Sequence, residues 1–111
     1  PYQEGTVFAI PIKTGGYILG VIARTTKVGE IVVIYLFKEK FSSLPEKKAW
    51  PQFDPKNAFA RPRVLDSYLQ NKRWPILGTL PDFKRDEWTM PKYLAREKGF
   101  ADAWLETYKD S

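Results

Sequence analysis

The side chains that most often carry acid–base, nucleophilic or metal chemistry at neutral pH are absent from this chain, which has no histidine and no cysteine. The Ser-His-Asp and Cys-His arrangements and the common zinc sites therefore cannot be assembled from it. Carboxylates are the conventional option left. Asp82, Asp86 and Glu87 lie close in sequence, and two nearby carboxyl groups can divide the roles of acid and base. They are interspersed with Lys84 and Arg85, however, in a stretch that reads as a single turn, where ion pairs and capping account for them. Gly15-Gly16 lacks the spaced glycines and following helix of a phosphate-cradling loop and reads as a hairpin turn. Catalysis is not expected, and neither is a cofactor or a metal.

Recognition is the chemistry that remains. The net charge is +5 and unevenly spread, with fourteen basic and eight acidic side chains between residues 38 and 98. Arg61, Arg63, Lys72, Arg73, Lys84, Arg85 and Lys92, with Trp50, Phe53 and Trp88, supply the ingredients of a basic track interleaved with aromatics, which is what single-stranded nucleic acid requires. A small basic β-barrel that binds single strands is thus one reading. The interspersed acids favour another, in which the basic groups form a solvated or protein-binding face. Seventeen aromatic residues (seven Phe, six Tyr and four Trp) are many for 111 residues. Most are expected in a core, with a few in the middle of the chain available as contacts.

The elements that must position these groups begin with residues 5–37. Three runs rich in β-branched and aromatic residues, Thr6–Ile12, Tyr17–Thr25 and Ile31–Phe37, are separated by short glycine-bearing gaps. This predicts a three-strand antiparallel meander. Both of its faces are apolar, whereas a sheet open to water on one side alternates apolar with polar, so the rest of the chain must supply a cover. An exposed edge of the meander would also invite pairing with a second copy, as a weak homodimer.

Residues 41–62 carry four prolines, at 45, 51, 55 and 62, which disfavours regular structure. This long irregular segment is expected to fold over the meander, pinned by Trp50, Phe53 and Phe59, with the Trp74 and Trp104 segments completing the cover. Arg63–Gln70 leans toward a short helix or turn, with a strand as the alternative. Trp74, Ile76 and Leu77 read as a strand with Pro75 marking an edge or bulge and Gly78 and Pro81 closing it. Residues 99–110 fit a helical face as well as strand alternation, with a final strand favoured.

A length of 111 residues predicts one domain. No signal-peptide pattern opens the chain, since Pro1-Tyr2-Gln3-Glu4 is polar. The longest apolar run, Ile31–Phe37, is too short to span a bilayer as a helix. A soluble protein is expected, and the lack of cysteine fits a reducing cytosol. The fold class expected is mainly β, or α+β with little helix. The meander is extended into a small curved sheet or SH3-like barrel, with one long Pro-rich loop and at most one or two short helices.

GTVFAIPI and GYILGVIAR, followed by RWPILG, the Pro81-x-Phe83 pair and Trp88-Thr-Met-Pro-Lys-Tyr-Leu-Ala-Arg, resemble the immunity protein 26 family of bacterial proteins, which neutralise secreted polymorphic toxins. The resemblance spans about Glu4 to Arg96. It implies a mainly β domain in the bacterial cytosol that binds a cognate toxin and blocks it, with no metal or cofactor. Its motifs are glycine, proline and aromatic signatures of a fold, so the contact residues come from composition instead. Trp50 and Phe53 are expected as aromatic anchors, and Arg61, Arg63 and Arg85 as charge partners, because aromatic and Arg side chains dominate binding hot spots. The positive charge fits a toxin with an acidic contact surface better than a nuclease, whose inhibitors are usually acidic mimics of its substrate.

Overall fold

The computed structural model describes residues 2–26 and 30–91. The meander forms as β1 (Thr6–Pro11), β2 (Tyr17–Thr25) and β3 (Ile31–Phe41). Gly15 and Gly16 adopt positive φ values of 110° and 79° in the first turn, the region that glycine enters without a Cβ penalty. Residues 27–29 of the second turn lie outside the described residues. β3 runs past its apolar segment through Lys38, Glu39 and Lys40, all exposed, because the start of β2 still offers a backbone partner: Tyr17 pairs with Phe41.

Two short strands complete an antiparallel sheet of order β4-β3-β2-β1-β5, with β4 at Arg63–Leu65 and β5 at Ile76–Thr79. The sheet is open, not closed into a barrel, since its two outer strands each pair on one side only. Both edges of the meander are consequently occupied, one by β4 and the other by β5. Pro75 does sit at the edge, where its carbonyl accepts from the Ala9 amide at 2.9 Å. The 63–70 stretch divides: its first three residues are β4, and Ser67–Gln70 form the one-turn helix α1. Pieces this short carry too little of either period to be separated in sequence.

Each face of the sheet has its own cover, where the sequence suggests a shared one. On the first face Val7, Val21, Ala23, Val33, Tyr35 and Phe37 pack beneath Trp88, with Trp50, Phe53, Phe83 and Met90 around it. On the second, Phe8, Ile22, Val32 and Ile34 pack under Leu69 of α1, with Trp74 and Tyr2 beside them. Trp74 therefore covers the face opposite the Pro-rich segment. Trp104 and the 99–110 element lie outside the described residues. Full burial of a Val, Ile or Phe side chain stabilises by about 1.5–3 kcal/mol, so a sheet apolar on both sides can form only with both covers in place.

Gly20 shows how tightly the second face closes. It pairs with Phe8 across β1 and β2, and a Cβ on it would fall 2.4 Å from Phe8 Cζ. The Phe8 ring lies across the space that a side chain would take.

Candidate functional site

The Pro-rich segment forms a lid over the first face. It holds two 3-10 turns, Lys47–Ala49 and Pro55–Asn57, and the second is capped by the Asp54 side chain, which accepts from the Lys56 amide at 2.9 Å. Trp50 and Phe53 pin the lid. The Trp50 indole lies over Gly78, where a Cβ would come within 3.0 Å of it, and its Nε1 donates to the Pro45 carbonyl at 3.3 Å. Phe53 meets Phe37 edge-on, with ring centres 5.2 Å apart. Both pins are half-buried, yet both also line a groove of about 490 Å³ with Lys47, Lys84 and Glu87. Phe59 departs from the expected role, since it stays 56% exposed. It stands near the sheet margin and lines a groove instead of entering the core.

The facing wall is residues 80–91, built on Trp88. This ring is 3% exposed and meets Tyr35 edge-on at 5.0 Å between centres. Irregular chain lacks a ladder to satisfy its carbonyls, and core side chains take them. The Tyr35 hydroxyl donates to the Thr89 carbonyl at 2.5 Å. The Arg24 guanidinium donates to the carbonyls of Ala23 and Trp88 at 2.7 and 2.8 Å, and more weakly to that of Arg85 at 3.4 Å. Arg24 is 5% exposed. Burial holds its pKa below the ordinary arginine value, Arg85 nearby lowers it further, and Glu4 and Tyr35 oppose the shift. Sequence reasoning missed Arg24. The one signal available was a cation inside an otherwise apolar strand, Tyr17–Thr25.

Between these walls, over Tyr35, runs a second groove of about 600 Å³, lined on one side by Pro55, Lys56, Phe59 and Arg61 and on the other by Glu87, Thr89 and Met90. The two grooves share Pro55 and Glu87 and thus adjoin. Arg61 and Arg63 are both exposed. The Arg61 guanidinium lies 5.2 Å from the Tyr35 ring centre and donates to the Pro55 carbonyl at 3.2 Å. Arg63 follows on β4, opposite Val33. Arg85 is held differently, with its Nε 2.8 Å from Glu4 Oε1 in a half-buried ion pair. The structure thus gathers Trp50, Phe53 and Arg61 around adjoining grooves, puts Arg63 on the same face, and sets Arg85 against the N-terminal segment.

Asp82, Asp86 and Glu87 are all exposed around the 3-10 turn Arg85–Glu87. Among the described residues no group of three or more Asp or Glu is placed to hold a metal, and no helix is long and apolar enough to cross a membrane. The basic residues do not form one track either. Arg61 and Arg63 belong to the lid face, whereas Arg73 lies 5.9 Å from the Tyr68 ring, which stacks on Trp74 of the other face. Trp88 is too deeply buried to stack on a base. Lys92 lies outside the described residues.

No curated protein and no solved structure matches the chain. A family model described as Immunity protein 26 matches residues 3–102, a span that contains the sheet, the lid, Trp88 and every candidate contact residue. The chain belongs to the immunity protein 26 family.

Proposed function

We propose that this chain is a non-catalytic immunity protein of the bacterial cytosol that binds a cognate toxin and occludes it with the lid face. Membership of the immunity protein family carries the reading. Its geometry is favourable: two adjoining grooves offer an aromatic wall from Trp50 and Phe53, and Arg61 and Arg63 stand exposed beside them. Arg85, aligned by Glu4, adds a third cation near the far wall. Grooves that combine aromatic walls with polar and cationic borders suit a protein surface, because buried aromatic contacts supply affinity and the charges supply on-rate and specificity.

The first test is the neighbouring gene, which should encode a secreted protein with a C-terminal toxin domain, and that domain is then used as the partner. Co-expression should restore growth, and the purified proteins should form a complex. Occlusion further requires stoichiometry, so toxin activity should fall linearly and vanish at about one equivalent of this chain. Complete inactivation by a small fraction of an equivalent would mean that the chain destroys its target catalytically, and the occlusion reading would fail.

A further inference from the structure

We propose that the face opposite the lid carries a binding site of its own, a groove beside Trp74 that takes a small aromatic carboxylate; this goes beyond the immunity reading and needs no toxin. The groove holds about 350 Å³, within the ordinary size of a small-molecule site. Leu69, Trp74, Pro75 and Ile76 supply its apolar walls, and its exposed polar members are Gln70 and Lys72. The walls are held in place. The Trp74 indole stacks with Phe8 and Tyr68, with ring centres 5.6 and 5.0 Å away, and Leu69 is buried. A preformed slot walled by an indole and a proline ring favours a flat ligand, which loses little entropy on entering.

Charge selects the other half of the ligand. Residues 67–81 contain Lys72 and Arg73 and no carboxylate. Among the described residues neither cation is ion-paired. Lys72 lines the groove, whereas the Arg73 guanidinium lies 5.9 Å from the Tyr68 ring centre. The carboxylate bonded to the lining is Asp66, which is buried and accepts from the Tyr2 hydroxyl and from Gln70. Its charge is thus answered from within the fold, and the Lys72 ammonium is the full charge that the groove presents to a ligand.

The backbone at Lys72 points the same way, independently of charge. Its φ is 65°, the one positive value among the described non-glycine residues. The bend ends α1 and folds the chain back, so that the Trp74 amide donates to the Tyr68 carbonyl at 3.0 Å. Glycine fits such a position with less strain and is the usual residue there. A lysine in its place costs the fold stability, and strain of this kind collects at binding sites. Seven residues line the groove, far fewer than the roughly 20–30 a side of a stable protein interface, so the occupant is a small molecule.

The experiment follows the amide and indole NMR shifts of the full chain as phenylacetate is added. Shifts should centre on the Trp74 indole N–H, Lys72 and Ile76 and leave Trp50 of the lid unmoved. Phenylacetamide, of the same shape without the charge, should bind at least fivefold more weakly, and phenethylamine, with the opposite charge, at least tenfold. Asparagine tolerates left-handed backbone, so Lys72→Asn should melt with the parent. In that variant phenylacetate and phenylacetamide should bind within twofold of each other. Ile76→Asp should weaken phenylacetate at least tenfold. No shifts at millimolar probe, equal binding of all three probes, or discrimination retained in Lys72→Asn would overturn the site. Tighter binding of the tripeptide Gly-Gly-Phe at the same residues would overturn the small-molecule occupant in favour of a chain terminus. None of these outcomes bears on toxin neutralisation, so the immunity reading stands or fails separately.

Discussion

On one face of the sheet, Phe8, Ile22 and Ile34 are closed over by Leu69 and the Trp74 indole; on the other, Val21, Tyr35 and Phe37 lie beneath Trp88 and the Pro-rich lid. The first closure uses few residues and flat rings. Phe8 stacks on Trp74 at 5.6 Å, and Trp74 on Tyr68 at 5.0 Å, with interplanar angles of 11° and 19°. The second uses a long irregular stretch of chain fastened by polar side chains that rise from the core, Tyr35 to Thr89 and Arg24 to Trp88. Irregular chain fits a sheet less closely than stacked rings do, and the two grooves described above are among the crevices it leaves. The contrast teaches that the covering least regular in sequence leaves the larger grooves, about 490 and 600 Å³ against about 350 Å³ beside Trp74 on the stacked face.

Three experiments can break or sharpen this contrast. The largest effect is expected on the lid face. Trp88→Ala removes the ring on which Tyr35, Phe37 and Phe83 converge and should cost about 4 kcal/mol, the usual range for a buried Trp truncation. Urea unfolding measures it, and a loss below about 1 kcal/mol would mean that the lid is held by its polar fastenings instead. On the stacked face, Gly20→Ala drives a methyl group into the Phe8 ring and should cost about 2 kcal/mol. Phe8→Leu in the same chain should relieve part of that cost. A double mutant no more stable than the sum of the two single losses predicts would show that the ring does not set the spacing.

The smallest effect appears only in alkali. Burial and the Asp66 carboxylate raise the Tyr2 hydroxyl well above its ordinary pKa of 10.0, the desolvation being the larger cause. The folded chain therefore keeps a proton that the unfolded chain loses, and the stability it contributes below pH 10 declines as pH rises beyond that value. Tyr2→Phe should flatten the decline of the melting temperature between pH 10 and 11. Parallel alkaline profiles for the two chains would show that Tyr2 does not fasten the N-terminal segment to the helix side.

Most of the sheet is legible in sequence. The β-branched density of Thr6–Ile12, Tyr17–Thr25 and Ile31–Phe37, with Gly15-Gly16 between the first two, is local information and predicts local structure. The family is legible too, since its glycine, proline and tryptophan motifs span the region that matches at residues 3–102. The lid is legible as irregular from its prolines, and Trp50 and Phe53 as its pins from their size. Arg24 was not, because what makes it matter is a set of carbonyls contributed by residues 85 and 88. Nor was the exposure of Phe59 and Leu65. An apolar residue type predicts burial, and only the register against β3 turns these two toward the margin of the lid face.

Sequence alone therefore determined that the first three strands form a meander, how the first hairpin turns, that both faces of the meander need covering, and that histidine and cysteine chemistry is unavailable. These are properties of residue type and near-neighbour spacing. Tertiary structure decided which segment covers which face, that both edges of the meander are paired, and that Phe59, Arg61, Arg63 and Leu65 share one side. Those outcomes depend on strand register and on contacts between residues far apart in the chain, where shifting the pairing by one residue would send each of these four side chains to the opposite face.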